Sequence, residues 1–234
     1  MVDPANVVPK RVVIVGSGVT GLVAARTLSK YSDCHVTLVE AADRVGGHAY
    51  TIDGPTGERM DIGFMVMNDL TYPNLIKLFS DVGAAVEPSD MSFSEFAARG
   101  LAFLADDTPR TTSTRDFAAG LNQRFVDKWL VPFISAVWST SADGAMDFPI
   151  QPLLKFMHHH MFLTLETVKW TTPAGRSETY VQKVLDMCPH VVVRTSAPAT
   201  RIDTTTKHLV LESGEEIPYD ALILACSAPQ AAAL

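Results

Sequence analysis

The segment RVVIVGSGVTG (11–21) most constrains how this chain can fold. Its first half is an apolar run typical of a buried strand, and Gly16, Gly18 and Gly21 follow in G-x-G-x-x-G spacing. Such glycines allow a tight turn, a close approach of the backbone to pyrophosphate, and close contact between helix and strand. A helix predicted from Thr20 to Leu28 directs free N–H groups and the positive end of its dipole towards the phosphates. We therefore predict a strand–turn–helix unit that binds a dinucleotide.

The next predicted strand ends in the acid that such a site needs. This strand runs from His35 to Glu40, and Glu40 lies nineteen residues after Gly21. A carboxylate at this place can accept both hydroxyls of a ribose and repels a 2′-phosphate, which disfavours NADP. The alternative is an empty Rossmann turn, because a glycine-rich turn after any buried strand can match the spacing. The residues that we predict to bind the cofactor here are Gly16, Ser17, Gly18, Val19, Thr20, Gly21, Glu40 and Ala41.

The loop after Glu40 favours FAD over NAD. Arg44 lies four residues further on, and Gly46 and Gly47 let the backbone pass beside a cofactor with no Cβ in the way. An NAD site has no evident need for a second glycine pair just after the acid, whereas a longer cofactor lying along the domain does. The alternative is a surface loop with an ordinary Gly-Gly turn. We predict FAD as the cofactor and the run from Arg44 through Gly46 and Gly47 to His48 as a further contact.

Composition and charge disfavour several classes of partner. The chain of 234 residues is 47% hydrophobic and 19% charged, which is typical of a globular protein. A formal net charge of −7 and the lack of a Lys/Arg cluster argue against nucleic acid as a partner. The sequence shows no signal-peptide pattern and no apolar stretch of transmembrane length. Three cysteines lack C-x-x-C spacing, and we expect Cys34 and Cys226 to be buried thiols in a cytoplasmic protein.

The order of predicted elements is that of a parallel sheet interrupted by helices. We predict an α/β fold, in which a Rossmann-like FAD-binding domain carries an inserted, mainly helical substrate domain. Its parts are residues 1–90, the helical insertion 91–189, and residues 190–234, which we expect to be incomplete. The other predicted elements are a hairpin (48–52 and 58–62), a helix 74–82 capped by Thr71 and ended by Gly83, a strand within 91–104, a polar linker 105–114, helices 115–137, 151–165 and 178–187, the last capped by Ser177, and strands 191–194, 200–203, 208–212 and 221–225.

Longer motifs resemble a known family. The runs G-G-H-A-Y-T (46–51), D-I-G-F-M-V-M-N (61–68) and T-Y-P-N (71–74) resemble the FAD-dependent flavin amine oxidase and phytoene desaturase superfamily. Within it, the chain is most similar to the branch associated with cyclopropane fatty acid synthases. Further matches, which extend the resemblance over nearly the whole chain, are D-M-S-F-S (90–94), P-F-I-S-A-V-W-S (132–139) and W-T-T-P-A-G-R-S-E-T-Y-V (170–181).

The resemblance implies roles for single residues along the cofactor. Glu40 would bind the adenosine ribose, and Arg44 would lie near the pyrophosphate. Ala199, in the run P-A-T-R-I, would meet adenine through its backbone amide and carbonyl. His48 stands where many amine oxidases have Arg, and His is usual in this branch.

The resemblance also implies what surrounds the flavin ring. The D-x-G-F segment would pass the ring and contact it through the backbone of Gly63, Phe64 and Met65. Relatives are close to twice as long as this chain, and a C-terminal glycine-rich segment covers their flavin pyrophosphate and ribityl chain. We therefore expect this chain to be C-terminally shortened relative to them, and to bind flavin weakly by itself.

Two other groups of residues invite a functional interpretation. His158, His159 and His160 point about 100° apart on a helix and cannot all ligate one ion, so we predict no metal site. The tryptophans and several phenylalanines could line an apolar tunnel, but plain core is the favoured interpretation. No spacing indicates covalent catalysis, and the catalytic residues cannot be named from the sequence.

These patterns together predict a flavin enzyme. We expect an amine oxidase-like FAD-dependent oxidoreductase that oxidises or desaturates an apolar, possibly lipid, substrate by hydride transfer to flavin. The alternative is a truncated homologue without turnover that acts as a flavin- or protein-binding module, as GDP dissociation inhibitors of the same fold bind proteins without flavin. Whether the purified protein is yellow distinguishes the two.

Overall fold

The computed structural model describes residues 10–89, 95–105, 111–163 and 169–234. It divides into two units, the first comprising Met1–Val66, Asn74–Glu87 and Thr172–Leu234, and the second Met67–Pro73 and Pro88–Thr171. The strands are β1 (Arg11–Val15), β2 (His35–Val39), β3 (Thr51–Asp53), β4 (Arg59–Asp61), β5 (Met67–Asn68), β6 (Val86–Ser89), β7 (Trp170–Pro173), β8 (Val192–Arg194), β9 (Ala199–Asp203), β10 (His208–Leu211), β11 (Glu216–Pro218) and β12 (Ala221–Leu224). The helices are α1 (Val19–Tyr31), α2 (Pro73–Val82), α3 (Glu95–Ala105), α4 (Thr114–Ala118), α5 (Gln123–Phe125), α6 (Val131–Trp138), α7 (Ala142–Asp147), α8 (Ile150–His159), α9 (Glu178–Asp186) and α10 (Ala228–Ala232), with a π-helical turn at Val126–Leu130.

A parallel sheet of four strands forms the centre of the first unit. Its order is β12-β1-β2-β8, and Val13 of β1 pairs with Leu222 on one side and Thr37 on the other. Val13 and Ile14 are 1% and 0% exposed, because a central parallel strand is covered on both faces. The strands predicted near both ends of the chain are confirmed, each within one residue at either end.

Helix α1 follows the glycine turn and packs closely on the sheet. An added Cβ at Gly21 would lie only 1.9 Å from the carbonyl oxygen of Gly16, so glycine alone lets the helix approach the end of the strand. Leu22 and Ala25 face the same way and are 1% and 0% exposed. The predicted helix is confirmed, and it continues to Tyr31.

Two antiparallel elements complete the first unit. In the hairpin of β3 and β4, Thr51 pairs with Asp61 and Ile52 with Met60, as predicted but with shorter strands. A second sheet has the order β11-β10-β9, and β11 was not anticipated from the sequence. Leu209 of β10 is 0% exposed and belongs to one core with residues of the parallel sheet.

Two residues that we predicted to cap helices use their hydroxyl groups for other contacts. Helix α2 begins at Pro73, and the hydroxyl of Thr71 donates to Oδ1 of Asn68 over 3.0 Å instead of capping the helix. Ser177 precedes α9 as predicted, but its hydroxyl donates to Oδ1 of Asp61 over 2.8 Å and accepts no helical N–H. In both cases a nearby acceptor competes with the backbone for the hydroxyl.

The second unit is mainly helical, and its first helix corrects a prediction. Residues 95–105 form α3, where we predicted a strand within 91–104; residues 91–94 lie outside the described residues. Ala97 is 0% exposed, and an added Cβ at Gly100 would lie 3.0 Å from Leu154. Small residues at helical spacing therefore let α3 pack on α8. In the sequence, the same residues give a weak alternation of apolar and small side chains, from which we predicted a strand. The predicted linker is helical at its end, since α4 begins at Thr114, and residues 106–110 also lie outside the described range.

The single helix predicted over 115–137 is broken into several pieces. Gly120 has φ +83°, and Oδ1 of Asn122 accepts the N–H of Arg124 to cap a new helix. The π-helical turn that follows ends where the N–H of Val131 donates to the carbonyl of Val126. Pro132 comes next, and it cannot donate and would clash with the carbonyl four residues earlier in a regular helix. The wider turn provides room for it.

The helix predicted over 151–165 and the cysteines also differ in detail from the prediction. Helix α8 ends at His159, and Met161 has φ +64°, so the helix does not continue to 163; residues 164 and 165 are not described. Cys34 and Cys226, predicted to be buried, are partly exposed, whereas Cys188 is buried. Over the described ranges, no helix is long and apolar enough to cross a membrane.

Candidate cofactor site

A cleft of about 590 Å³ opens in the first unit where β1, β2 and β12 end. Ligands of open parallel sheets bind at the carboxyl ends of the strands, and sites for small molecules measure about 300–1,000 Å³. Eight of the predicted cofactor-binding residues line the cleft: Gly16, Ser17, Gly18, Glu40, Ala41, Gly47, His48 and Ala199.

The glycine turn forms the floor of the cleft. Gly16 has φ +99°, and an added Cβ there would lie 2.8 Å from the carbonyl oxygen of Ala225. Gly18 differs, because an added Cβ would meet nothing within 4 Å among the described residues. Gly16 is therefore needed for the turn itself, whereas the bare Cα of Gly18 borders open space in the cleft.

The first turn of α1 is suited to an anion. Gly18 is the N-cap residue, and within the described chain no side chain caps the helix and its first turn holds no acid. The N–H groups of a first turn have no partner inside the helix, and the dipole adds a partial positive charge there. Gly18 lines the cleft, so the N-terminal end of α1 lies at its border.

Glu40 closes the side of the cleft next to the glycine turn. Its Oε2 accepts the N–H and the hydroxyl of Ser17 over 2.8 and 2.6 Å, and its Oε1 accepts the N–H of Ala42 over 2.9 Å. Burial raises the pKa of Glu40, but the N–H of Ala42 and the hydroxyl and N–H of Ser17 lower it by more. The net pKa lies below the usual range, so the carboxylate is ionised near neutral pH.

The Gly46-Gly47 pair brings the next loop against the glycine turn. Gly46 and Gly47 have φ +112° and +58°, and an added Cβ at Gly47 would lie 2.9 Å from the Cα of Gly18. The N–H of Gly46 donates to the carbonyl of Ser17 over 3.0 Å. This contact holds Gly47 and His48 at the edge of the cleft.

Arg44 supports this loop instead of lining the cleft. Its Nη2 donates to the carbonyl of Gly47 over 2.9 Å, and its guanidinium carbon lies 3.5 Å from the ring centroid of Tyr50. The resemblance implied a place near the pyrophosphate. The structure gives Arg44 a contact with the backbone of the loop that borders the cleft.

The D-I-G-F segment runs beside His48. The N–H of Phe64 donates to the carbonyl of His48 over 2.8 Å, and an added Cβ at Gly63 would lie 2.0 Å from the same oxygen. Met65 is 50% exposed. Gly63, Phe64 and Met65 are thus adjacent to the cleft through His48 but do not line it, and the same holds for Val19, Thr20, Gly21 and Gly46.

Asp61, at the start of this segment, fixes it to α9. Oδ1 of Asp61 accepts the hydroxyl of Thr51 over 2.7 Å, the hydroxyl of Ser177 over 2.8 Å and the N–H of Ser177 over 3.0 Å. Ser177 is 0% exposed and Thr51 is 9% exposed. The carboxylate at the start of α9 also interacts favourably with the helix dipole.

Phe64 packs on the same helix through Tyr180. The two rings meet edge to face with centroids 6.3 Å apart. Burial and, to a lesser extent, the charge of Asp61 raise the pKa of Tyr180 to about 12, so its phenol is neutral.

The remaining part of the cleft comes from two segments far along the chain. Pro198, Ala199 and Thr200 line it, and the preceding turn is tied to β2 because the N–H of Ala197 donates to the carbonyl of Glu40 over 2.9 Å. The lining residues that the sequence did not predict are Val15, Val39, Pro198, Thr200, Ala225, Cys226, Ser227, Gln230, Ala233 and Leu234. Most of these follow the apolar run of β12, which is the signal that could have located them.

Comparisons with known proteins agree with this geometry. Residues 14–82 match a family described as an NAD(P)-binding Rossmann-like domain. Over 95 residues the chain is 37% identical to FAD-dependent oxidoreductase dbaF of Emericella nidulans, which covers 40% of this chain and 19% of that protein. Over 72 residues it is 35% identical to the flavin-containing amine oxidase A of Sus scrofa, which covers 31% of this chain and 13% of that protein. Residues 14–82 thus match a Rossmann-like domain, and parts of the chain are similar to FAD-dependent oxidoreductases and flavin-containing amine oxidases.

Solved structures share the fold of this chain over most of its length. Putrescine oxidase with bound putrescine aligns with a TM-score of 0.64 at 17% identity and covers 93% of this chain and 58% of that chain. An oxidoreductase from Methanosarcina mazei aligns with a TM-score of 0.60 at 15% identity, over 92% of this chain and 58% of that chain. The predicted α/β fold with a Rossmann-like domain is confirmed. The chain spans less than two thirds of each of these proteins.

In the second unit, three of the candidate tunnel residues, Trp129, Phe133 and Trp170, belong to stacked pairs of rings that we call the aromatic ladder. Trp129 stacks on Phe125 and on Phe133, with centroids 5.0 and 5.1 Å apart, and Phe162 stacks on Trp170 at 4.8 Å. Trp170 is 7% exposed, and the other four side chains are partly buried. The ladder therefore packs against the core of the second unit and keeps part of its surface accessible.

Proposed function

We propose that this protein is an FAD-dependent oxidoreductase that oxidises or desaturates an apolar substrate, with a lipid acyl chain as the first candidate. The observation that carries the proposal is the cleft, in which a bare Gly18 and the uncapped start of α1 lie next to the ionised Glu40. Amide donors suit a pyrophosphate, and a carboxylate suits a ribose. These residues fit the adenosine diphosphate half of FAD.

Each wall of the cleft has a role in this proposal. Gly16 and Gly18 with the start of α1 would hold the pyrophosphate, Glu40 would hold the ribose, and the segment from Pro198 to Thr200 would border adenine. The D-I-G-F segment, fixed through Asp61, would lie along the flavin. FAD, when bound, supplies the group that accepts a hydride from a substrate carbon. The chain's own residues bind and orient the cofactor, and the neutral phenol of Tyr180 keeps Phe64 in an apolar setting.

The choice of an apolar substrate is supported by the second unit. The aromatic ladder that begins at Phe125 and Trp129 offers apolar surface at partly exposed positions. The acyl chain in particular depends on the resemblance of the G-G-H-A-Y-T and D-I-G-F motifs to the branch associated with cyclopropane fatty acid synthases. A cytoplasmic location belongs to the same proposal, since the three cysteines are unpaired.

The cofactor is tested by purifying the chain and identifying what it releases on denaturation. We expect FAD and no nicotinamide. Glu40→Ala should weaken FAD binding about tenfold to a hundredfold, because it removes an ionised acceptor. Glu216→Ala, at an exposed position in β11, is the matched control and should bind like the wild type. Release of a nicotinamide nucleotide, or equal binding by Glu40→Ala, contradicts the assignment.

The reaction is tested by anaerobic mixing of the flavin-loaded protein with candidate substrates. Loss of the visible absorbance of oxidised flavin with a long-chain acyl substrate would support the proposal. Reduction by an amine alone would keep the oxidoreductase and exclude the acyl chain. Flavin that no substrate reduces would indicate the alternative, a flavin-binding module without turnover.

A further inference from the structure

The hydroxyl of Ser17 contacts the carboxylate of Glu40, to which the proposed function assigns the ribose. Ser17 lies between two glycines of the turn and is 0% exposed. Its N–H already donates to Oε2 of Glu40 over 2.8 Å, and its hydroxyl donates to the same oxygen over 2.6 Å. The hydroxyl is therefore a second donor to the same oxygen, at the place where a ribose would bind.

The donors around Glu40 limit what the carboxylate can still accept. The two oxygens of a carboxylate offer about four lone-pair sites in total. Ser17 occupies two of them at Oε2, and the N–H of Ala42 occupies one at Oε1 over 2.9 Å. The backbone N–H of Ala41 also acts on the carboxylate and lowers its pKa, so at most one site remains. A ribose presents two neighbouring hydroxyls, and each of them needs an acceptor of its own.

We propose that Ser17 is a positioning residue that makes Glu40 recognise one of the two ribose hydroxyls instead of both. The inference rests on the proposed function, because it places an adenosine ribose at Glu40. Filling Oε2 from within the protein turns a carboxylate that could bind both hydroxyls into one that selects between them. The site then discriminates among nucleotides by the position of a single hydroxyl.

The first test uses ADP, 2′-deoxy-ADP and 3′-deoxy-ADP, titrated into the wild-type chain by calorimetry. One deoxy analogue should bind within about twofold of ADP, and the other should bind about tenfold or more weakly, since it lacks the hydroxyl that an ionised acceptor holds. Similar losses for both analogues would overturn the inference.

Ser17→Ala opens the second acceptor and should remove the asymmetry. In this variant both deoxy analogues should bind more weakly than ADP by similar factors. Ser32→Ala is the matched control, since Ser32 also uses its hydroxyl as a donor, to the carbonyl of Leu28 over 2.7 Å at the other end of α1. The control should keep the asymmetry of the wild type, and an unchanged asymmetry in Ser17→Ala would contradict the role.

A second measurement follows the carboxylate without any nucleotide. The pKa of Glu40, obtained from the pH dependence of its carboxyl carbon in NMR spectra, should rise in Ser17→Ala and stay unchanged in Ser32→Ala. If Ser17→Ala does not fold, Ser17→Cys keeps a side chain in place with a weaker donor and should also raise the pKa. An unchanged pKa would show that the hydroxyl does not hold Glu40.

Failure of this inference and failure of the proposed function give different results. A wild-type chain that binds FAD but not ADP refutes only the inference. The same holds if both deoxy analogues bind more weakly than ADP by the same factor. A chain that binds ADP asymmetrically but never retains flavin refutes the function and keeps the role of Ser17.

Discussion

Two glycines of one motif should respond in opposite ways to the same substitution. Gly18→Ala adds a Cβ that meets nothing within 4 Å, at φ −62° and ψ 179°, which alanine adopts freely. Gly21→Ala adds a Cβ 1.9 Å from the carbonyl oxygen of Gly16. The first change fills space that the cofactor would need, and the second forces α1 away from the sheet.

The expected magnitudes follow from these distances. Gly18→Ala loses up to about 1 kcal/mol at an N-cap position and regains about 0.4–1 kcal/mol because the unfolded chain is less flexible, so its stability should change by less than about 1 kcal/mol. Its FAD affinity should fall about tenfold to a hundredfold, the equivalent of about 1–3 kcal/mol of steric conflict with the cofactor. Gly21→Ala should lose about 3 kcal/mol of stability, since the new contact is about 1.5 Å shorter than van der Waals distance.

Urea unfolding followed by circular dichroism measures the stability of both variants, and fluorescence titration measures their FAD affinity. The two variants serve as controls for each other, because they add the same methyl group to one turn. If Gly18→Ala unfolds as readily as Gly21→Ala, Gly18 is mainly a folding residue. FAD binding by Gly18→Ala at wild-type strength would equally refute the argument.

Other contacts lead to three more expected outcomes. Asp61→Ala should lower the free energy of unfolding by about 2–4 kcal/mol, because two buried hydroxyls lose their acceptor, and a urea midpoint equal to the wild type would exclude this role. Arg44→Lys should cost about 1 kcal/mol in the same assay, since lysine cannot both stack on Tyr50 and donate to the loop carbonyl, and an Arg44→Lys variant as stable as the wild type would contradict this role. The pKa values of Asp203 and Asp220 are lowered to about 2, mainly by a backbone N–H and by a guanidinium respectively. Their contribution to stability is therefore complete above about pH 4 and is lost towards pH 2, and replacing both by Asn should flatten the acid limb of an unfolding profile.

The features that the sequence predicted well are carried by local patterns. The apolar run before Gly16 predicts a central strand because both faces of such a strand are buried, and only hydrophobic residues satisfy that. The spacing of Gly16, Gly18 and Gly21 predicts the turn, because the steric reasons for having glycine there come from nearby parts of the same strand–turn–helix unit. Glu40 is predictable for the same reason, since it ends the neighbouring strand.

The features that the sequence missed depend on contacts between distant segments. Ala225, Cys226 and Ser227 border the cleft only because β12 pairs with β1, and their small side chains carry no motif of their own. The contact of the Ser17 hydroxyl with Glu40 could not be predicted either, because the pairing of β1 with β2 brings the two residues together. The break at Gly120 and the widened turn before Pro132 do have local signals, namely the glycine and the proline themselves. Our prediction of a single long helix did not take them into account.

The order of the sheet has a consequence for how the protein is made. Arg11 and Asp220, which join beside β1 and β12, are 209 positions apart. During synthesis β1 therefore emerges with one row of backbone groups unpaired, and its partner strand is made only about 209 positions later. Closing so long a loop delays the final pairing, and the wall of the cleft next to Ala225 forms with it. A cofactor that needs this wall binds only chains in which β1 and β12 have paired, and by mass action it stabilises that pairing.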